Sequence, residues 1–308
     1  MSDPARSSAL APGVWGVLAT PFAGPELALD TGSLTRLARH LETAGVTGLT
    51  VLGVFGEAAR LSAAERRTVL ATVVEAVGLP LVVGATSLAT APLLDEVAVV
   101  QEVAGDRLAA VMVQVHSASA EVLRAHLQAV HDATGAAVVV QDYPVASGVR
   151  IDGAELARAL SGLPFVAAVK AESPPTAAAV AALTARLEVP VFGGLGGLGL
   201  LDELAAGAAG AMTGFSFPEG LVACTRAWRD GGFVAAHDAF LRYLPLIAFE
   251  QQPGIGLAIR KECLVRRGLI AEASVRPPAP PMPELLREQL ARQVDALDPA
   301  PLAGTGAA

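Results

Sequence analysis

Short apolar runs rich in branched residues recur along the chain at 14–19, 48–53, 80–85, 109–114, 136–141, 166–171, 189–193 and 210–213. Each is too short for a core helix and is bounded by turn residues, so each predicts a strand. Between them lie stretches of helical period at 31–44, 63–77, 92–104, 120–133, 153–160, 176–187 and 200–206. Helix starts are marked by Asp30, by Ser62 with Glu65 three residues on, and by Asp152 with Glu155 three on. Such side chains satisfy the free N–H groups of a first turn. The strands lack polar alternation, which implies cover on both faces and hence a parallel sheet. Eight strand–helix units are the number that closes an α/β barrel of the (β/α)8 TIM type. The rival is an open doubly wound sheet, which usually carries a glycine-rich phosphate loop after its first strand. Here that place holds Ala19-Thr20-Pro21-Phe22. The cluster Gly193-Gly194-Leu195-Gly196-Gly197 follows the seventh strand instead, where it lets backbone approach a ligand at a barrel mouth.

Residues 1–12 are small and polar with Pro, and are expected to form a mobile lead-in to a barrel over 13–218. Further helical stretches lie at 219–228, 234–249, 255–267 and 283–296, the last after the stiff connector Arg276-Pro277-Pro278-Ala279-Pro280-Pro281. They predict a C-terminal helical bundle over 219–297, with a disordered tail over 298–308. Of the 308 residues 53% are apolar, ample for a large core, and the net charge of −8 speaks against nucleic acid or an anionic membrane as partner. Neither a leader of signal type nor about 18 uninterrupted apolar residues is present, so a cytoplasmic protein is expected. Cys224 and Cys263 fall in helical stretches, where buried apolar packing suits them better than a disulfide or a metal site. No group of His, Cys and carboxylates has metal-ligand spacing, so neither a metal nor a cofactor is expected.

Candidate chemistry centres on a shortage. The chain has only two lysines, Lys170 and Lys261, among its 22 basic residues. Lys261 lies in the charged run Arg260-Lys261-Glu262, where a solvated surface role is expected. Lys170 is next to last in the sixth strand, at the edge where barrels of this kind carry their reacting groups. An arginine cannot lose its proton in a protein, whereas a lysine shielded from water can, and then attacks ketones to form a Schiff base. A lysine there could equally close the strand at solvent or pair with Glu172. Side chains two apart share a strand face, so Ala168, Lys170 and, if the strand persists, Glu172 point together. Glu172 would then either hold the amine charged or act as acid/base on the imine. His116 follows the fourth strand and is expected to face the mouth, which Gly193, Gly194 and residues 212–216 could also line.

Four features occur in a telling order and spacing: Thr20-Pro21-Phe22 after the first strand, Gly53-Val54-Phe55-Gly56-Glu57 after the second, a Tyr/Pro segment after the fifth, and a lysine in the sixth. Together they resemble the dihydrodipicolinate synthase/N-acetylneuraminate lyase family. Arg267-Gly268-Leu269-Ile270 followed by Val275-Arg276-Pro277-Pro278 extends the likeness, which covers residues 13–297. The resemblance implies a (β/α)8 barrel with a C-terminal helical bundle, assembled as a homo-oligomer (tetramer or dimer). It implies a class I lyase or aldolase acting on a small-molecule 2-oxo acid, with Lys170 as the Schiff-base residue. It further implies that Thr20 and the loop Gly53, Val54, Phe55 and Gly56 contact the substrate.

This chain departs from the family pattern in places. The hydroxyl residues usual between the loop glycines are Val54 and Phe55 here. Gln141 stands where the family tyrosine is expected, and Tyr143 lies two residues on, so Tyr143 is assigned as the acid/base and Gln141 as a substrate contact. The arginine that holds a second carboxylate in the synthases is replaced by small residues around Ala146-Ser147, which argues against lysine biosynthesis. Gln141-Asp142-Tyr143-Pro144 with the segment from Lys170 through Glu172 to Pro174-Pro175-Thr176 is similar to the 2-keto-3-deoxy sugar-acid dehydratase branch. The leading expectation is dehydration of such an acid through a lysine imine. The second is a pyruvate-dependent aldolase, and the third a non-catalytic barrel that binds 2-oxo acids.

Overall fold

The computed structural model describes residues 9–297. Residues 1–8 and 298–308, and with them most of the expected lead-in and the whole expected tail, lie outside the described residues. Eight parallel strands close into a barrel: β1 (Gly13–Val17), β2 (Gly48–Val51), β3 (Leu81–Gly84), β4 (Leu108–Gln114), β5 (Val138–Asp142), β6 (Val166–Ala171), β7 (Val191–Gly193) and β8 (Gly210–Thr213). Each pairs with its neighbours in sequence, and β8 pairs back onto β1.

Strand alternation sorts the apolar side chains into two cores. Trp15, Val17, Val82, Met112, Val139, Ala168, Phe192 and Met212 fill the barrel interior, while Val14, Leu49, Val83, Val140 and Val169 face the surrounding helices. This double burial is why the strands read as unbroken apolar runs. The helices begin where their caps stand. Asp30 accepts from the Ser33 N–H at 2.9 Å, Ser62 and Glu65 form a reciprocal capping box, and Asp152 accepts from the Ala154 N–H at 2.8 Å.

Several expectations shift. Leu10, inside the segment read as a lead-in, is buried in the inner core, and its N–H donates to the Ala167 carbonyl at 3.0 Å. The second strand stops at Val51 rather than at 53, because Leu52 adopts a left-handed conformation (φ 57) that turns the chain toward the mouth. The stretches at 219–228 and 234–249 are instead one helix, Pro218–Phe240, interrupted at Gly232 (φ 69), and a second, Leu244–Glu250. Cys224 and Cys263 are buried and free, and burial pushes the Cys224 thiol up to about 12. No helix among the described residues is long and apolar enough to cross a membrane.

The surface role expected of Lys261 is wrong. Its side chain is 0% exposed, and Nζ donates to Glu57 Oε1 at 2.6 Å and to the Ser274 carbonyl at 2.7 Å, 4.4 Å from the Phe22 ring centroid. Its partner Glu57 lies 204 positions away, so nothing local in the run Arg260-Lys261-Glu262 could reveal the pair. Glu57 also accepts from Arg60 at 2.9 Å and from the Arg276 N–H at 3.0 Å. Arg276 in turn reaches Glu65, whose carboxyl it holds near 2. Through this buried network the helix Gly256–Arg266 and the connector after it are tied to the loop that follows β2.

Candidate active site

Lys170 projects into the barrel one residue before β6 ends, and lies in register with Gln141 on β5 and Phe192 on β7. Small Ala168 occupies the layer beneath it. The strand pairing persists past β6, because the Glu172 N–H donates to the Asp142 carbonyl at 2.9 Å. Glu172 therefore keeps the parity of Lys170, as the two-residue spacing predicts. Its Oε2 lies 3.0 Å from the lysine Nζ and accepts from Gln141 Nε2 at 2.7 Å, while Oε1 accepts from the Leu195 N–H at 3.4 Å. Both side chains of the ion pair are more than nine-tenths buried.

Gly194 makes this arrangement possible. A Cβ there would stand 2.3 Å from Glu172 Oε1, so only glycine lets the carboxylate lie against the backbone after β7. Gly193 does the same for another group: a Cβ on it would meet Glu203 Oε2 at 1.7 Å. Burial, helped by the charges of Glu172 and Asp202 and opposed by the Thr176 hydroxyl, pushes the Glu203 carboxyl up to about 7.

Tyr143 follows β5 at the start of a single helical turn, Pro144–Ser147. Burial and then the Glu172 charge raise its pKa above the usual phenol value, against the pull of Arg260. Its proton is thereby retained at neutral pH. Burial and the Glu172 charge likewise push the Asp142 carboxyl up to about 6, opposed by Arg150. Gln141 thus bonds Glu172 directly, and Tyr143 feels its charge.

Gly53 and Val54, in the loop after β2, line an open cleft of about 270 Å³ with Leu52, Gln114 and Gln141. Gln141, which bonds Glu172, borders that cleft, whereas Lys170 and Glu172 themselves do not. Thr20 does not reach into that cleft: its hydroxyl donates to the Gly56 carbonyl at 2.6 Å and so fixes the loop. Phe55 turns the other way, its ring 4.9 Å from the Arg260 guanidinium carbon and packed on Gly214. His116 is not brought to the cleft. Its ring packs 4.1 Å from that of His126 on the helix Ala120–Thr134, and burial lowers the pKa of both.

Two polar residues near the mouth escape the sequence reading, because both belong to the bundle. Arg260 pairs with buried Glu250 at 3.3 Å, and Gln251 lies against Gly196. No local pattern in the chain distinguishes them from surface residues of an amphipathic helix. Their signal is spatial, namely a charge and an amide turned toward the strand ends.

The sequence model of the Dihydrodipicolinate synthetase family matches residues 11–297. An L-2-keto-3-deoxyarabonate dehydratase of Azospirillum brasilense is 31% identical over 301 residues, covering 93% of this chain and 94% of that protein. A 4-hydroxy-tetrahydrodipicolinate synthase of Sorangium cellulosum is 29% identical over 295 residues, covering 93% and 96%. Among solved structures, a dihydrodipicolinate synthase from Rhodopseudomonas palustris superposes with a TM-score of 0.85 at 29% identity, covering 93% of this chain and 97% of that one. With a match along nearly all of its described residues and a barrel that closes in the same way, this chain belongs to the dihydrodipicolinate synthetase family and is an enzyme of the class I lyase and aldolase type.

Proposed function

We propose that this enzyme dehydrates a 2-keto-3-deoxy sugar acid through an imine on Lys170. The observation that carries the reading is the buried Lys170–Glu172 contact of 3.0 Å beside Gln141. Glu172 takes the ammonium proton and frees the neutral amine, which attacks the C2 ketone. The same carboxyl returns its proton to the carbinolamine hydroxyl, which leaves as water and gives the iminium. That cation acidifies C3. Glu172 then removes a C3 proton to give the enamine, and the C4 hydroxyl departs as a second water with a proton from Glu172 or Tyr143. A third water releases Lys170. In a five-carbon substrate, a proton shift from C5 to C3 gives the C4–C5 enol, and transfer of its hydroxyl proton to C4 yields a 2-oxo semialdehyde.

Each assignment has its own support. Gly53 and Val54 line the cleft and would bind the C1 carboxylate through backbone N–H groups, while Gln141 contacts the substrate beside the imine. Thr20 and Gly194 act through the loops and the carboxylate that they hold. The relative named a dehydratase supports dehydration over cleavage. A homo-oligomer, tetramer or dimer, belongs to the same proposal, supported by exposed apolar side chains such as Val145 and Val234. The test is product analysis with a 2-keto-3-deoxy pentonate. The proposal requires a 2-oxo semialdehyde, whereas pyruvate with glycolaldehyde would assign the aldolase.

A further inference from the structure

The imine fixes one end of the substrate at Lys170, and the far end needs partners of its own. We propose that Arg260 and Gln251, both carried by the helical bundle, form a subsite for the distal hydroxyls of the sugar acid, an inference that rests on the function proposed above. The two side chains converge on Gly196 (φ 69): the point that a Cβ would occupy lies 1.9 Å from Gln251 Nε2 and 2.9 Å from Arg260 Nη2. Two residues earlier the same backbone touches Glu172 at Gly194. The strap that touches Glu172, the partner of Lys170, thus also touches the Arg260–Gln251 pair, at points at most about 7 Å apart along the backbone.

Gln251 holds an unused donor: its Nε2 is buried without a hydrogen-bond partner. Arg260 turns its Nε to Glu250 Oε2 at 3.3 Å and its Nη2 toward Gly196. Arg260 is 9% exposed, and among the described residues its one ion pair is with Glu250. Buried donors left unpaired are rare and costly, and a ligand hydroxyl that accepts from them removes the cost. Phe55 supports the guanidinium face, which gives a purpose to an aromatic ring where the family resemblance leads one to expect a hydroxyl.

Charge decides between a hydroxyl and a second carboxylate. Arg260 is matched by Glu250 and Lys170 by Glu172, so the two pairs are neutral before substrate arrives. A second carboxylate would enter beside two glutamates without a cation of its own, a costly burial. A hydroxyl accepts from Arg260 and Gln251 without that cost. The subsite therefore favours a 2-keto-3-deoxy aldonate over the corresponding diacid.

The experiment compares KM and kcat for a 2-keto-3-deoxy pentonate in the parent, Gln251→Leu and Arg260→Met. A six-carbon 2-keto-3-deoxy diacid is assayed on the parent, and borohydride trapping of pyruvate, which has no distal end, on all three. The pentonate KM is expected to rise at least about tenfold in each variant, the usual scale of one lost hydrogen bond to a charged or buried donor. Pyruvate is still trapped, and the parent prefers the aldonate to the diacid. An unchanged pentonate KM in Gln251→Leu, or a parent that prefers the diacid, overturns the subsite. If Arg260→Met does not fold because Glu250 is left unmatched, Gln251→Leu decides alone, since that amide nitrogen has no partner to lose. A parent that traps no pyruvate removes the imine reading and the subsite with it, an outcome distinct from loss of the distal contacts alone.

Discussion

Replacing Lys261 by methionine removes one member of a fully buried ion pair while keeping most of the apolar stem that packs around it. Taking away one partner of such a pair typically costs about 3–5 kcal/mol, because the other charge stays buried. Glu57 retains Arg60 at 2.9 Å and the Arg276 N–H at 3.0 Å, which places the loss at the low end, roughly 3 kcal/mol. The Ser274 carbonyl also loses its donor, adding about 1 kcal/mol. A total of about 4 kcal/mol corresponds to a fall in Tm of roughly 6 °C for a chain of 308 residues. Urea unfolding of the parent and Lys261→Met, followed by circular dichroism, measures it directly. Lys261→Arg should not restore the parent value, since the larger group has no room at a site with 0% exposure and overpacking costs about 1–3 kcal/mol. A loss below about 1 kcal/mol in Lys261→Met, within the range of an exposed pair, would refute the claim that this contact ties the bundle to the mouth loop.

Gly194→Ala forces Glu172 away from Lys170, because the new methyl would lie 2.3 Å from its Oε1. Turnover of a 2-keto-3-deoxy acid should fall about a hundredfold, the low end of what a displaced general base costs, and an unchanged kcat would remove Glu172 from that role. Glu203→Gln tests a buried carboxyl whose pKa stands at about 7 rather than 4.5. A raised carboxyl favours folding below its unfolded pKa, and that contribution is lost as pH rises from about 4.5 to 7. The variant should therefore match the parent at pH 4.5 and exceed it above pH 7, by up to about 3 kcal/mol. Equal stability differences in urea at the two pH values would contradict the assignment.

Much of the barrel is legible in the chain, since strands covered on both faces appear as apolar runs and the helix starts carry Asp30, Ser62 and Asp152. The pairing of Lys170 with Glu172 is legible too, because it depends only on strand parity. What depends on distant chain is not. Lys261 reads as surface because its neighbours are Arg260 and Glu262, yet on a helix consecutive residues point in different directions. Here Lys261 meets Glu57, and Arg260 meets Phe55 and Glu250. The same holds for Phe55, expected at the substrate and found beneath Arg260. His116, expected at the mouth, pairs instead with His126 on the next helix. Loop directions after a strand ends are set by turns such as the left-handed Leu52, which a non-glycine sequence does not announce.

The central claim is that Lys170 is the nucleophile, and intact mass after incubation with pyruvate and borohydride tests it most directly. The one other lysine, Lys261, is buried and already paired, so Lys170 is the side-chain amine that the reaction reads. The account predicts one reduced pyruvate adduct per chain in the parent and none in Lys170→Ala. An adduct that persists in Lys170→Ala, or no adduct in the parent with pyruvate or with longer 2-keto-3-deoxy acids, would contradict it.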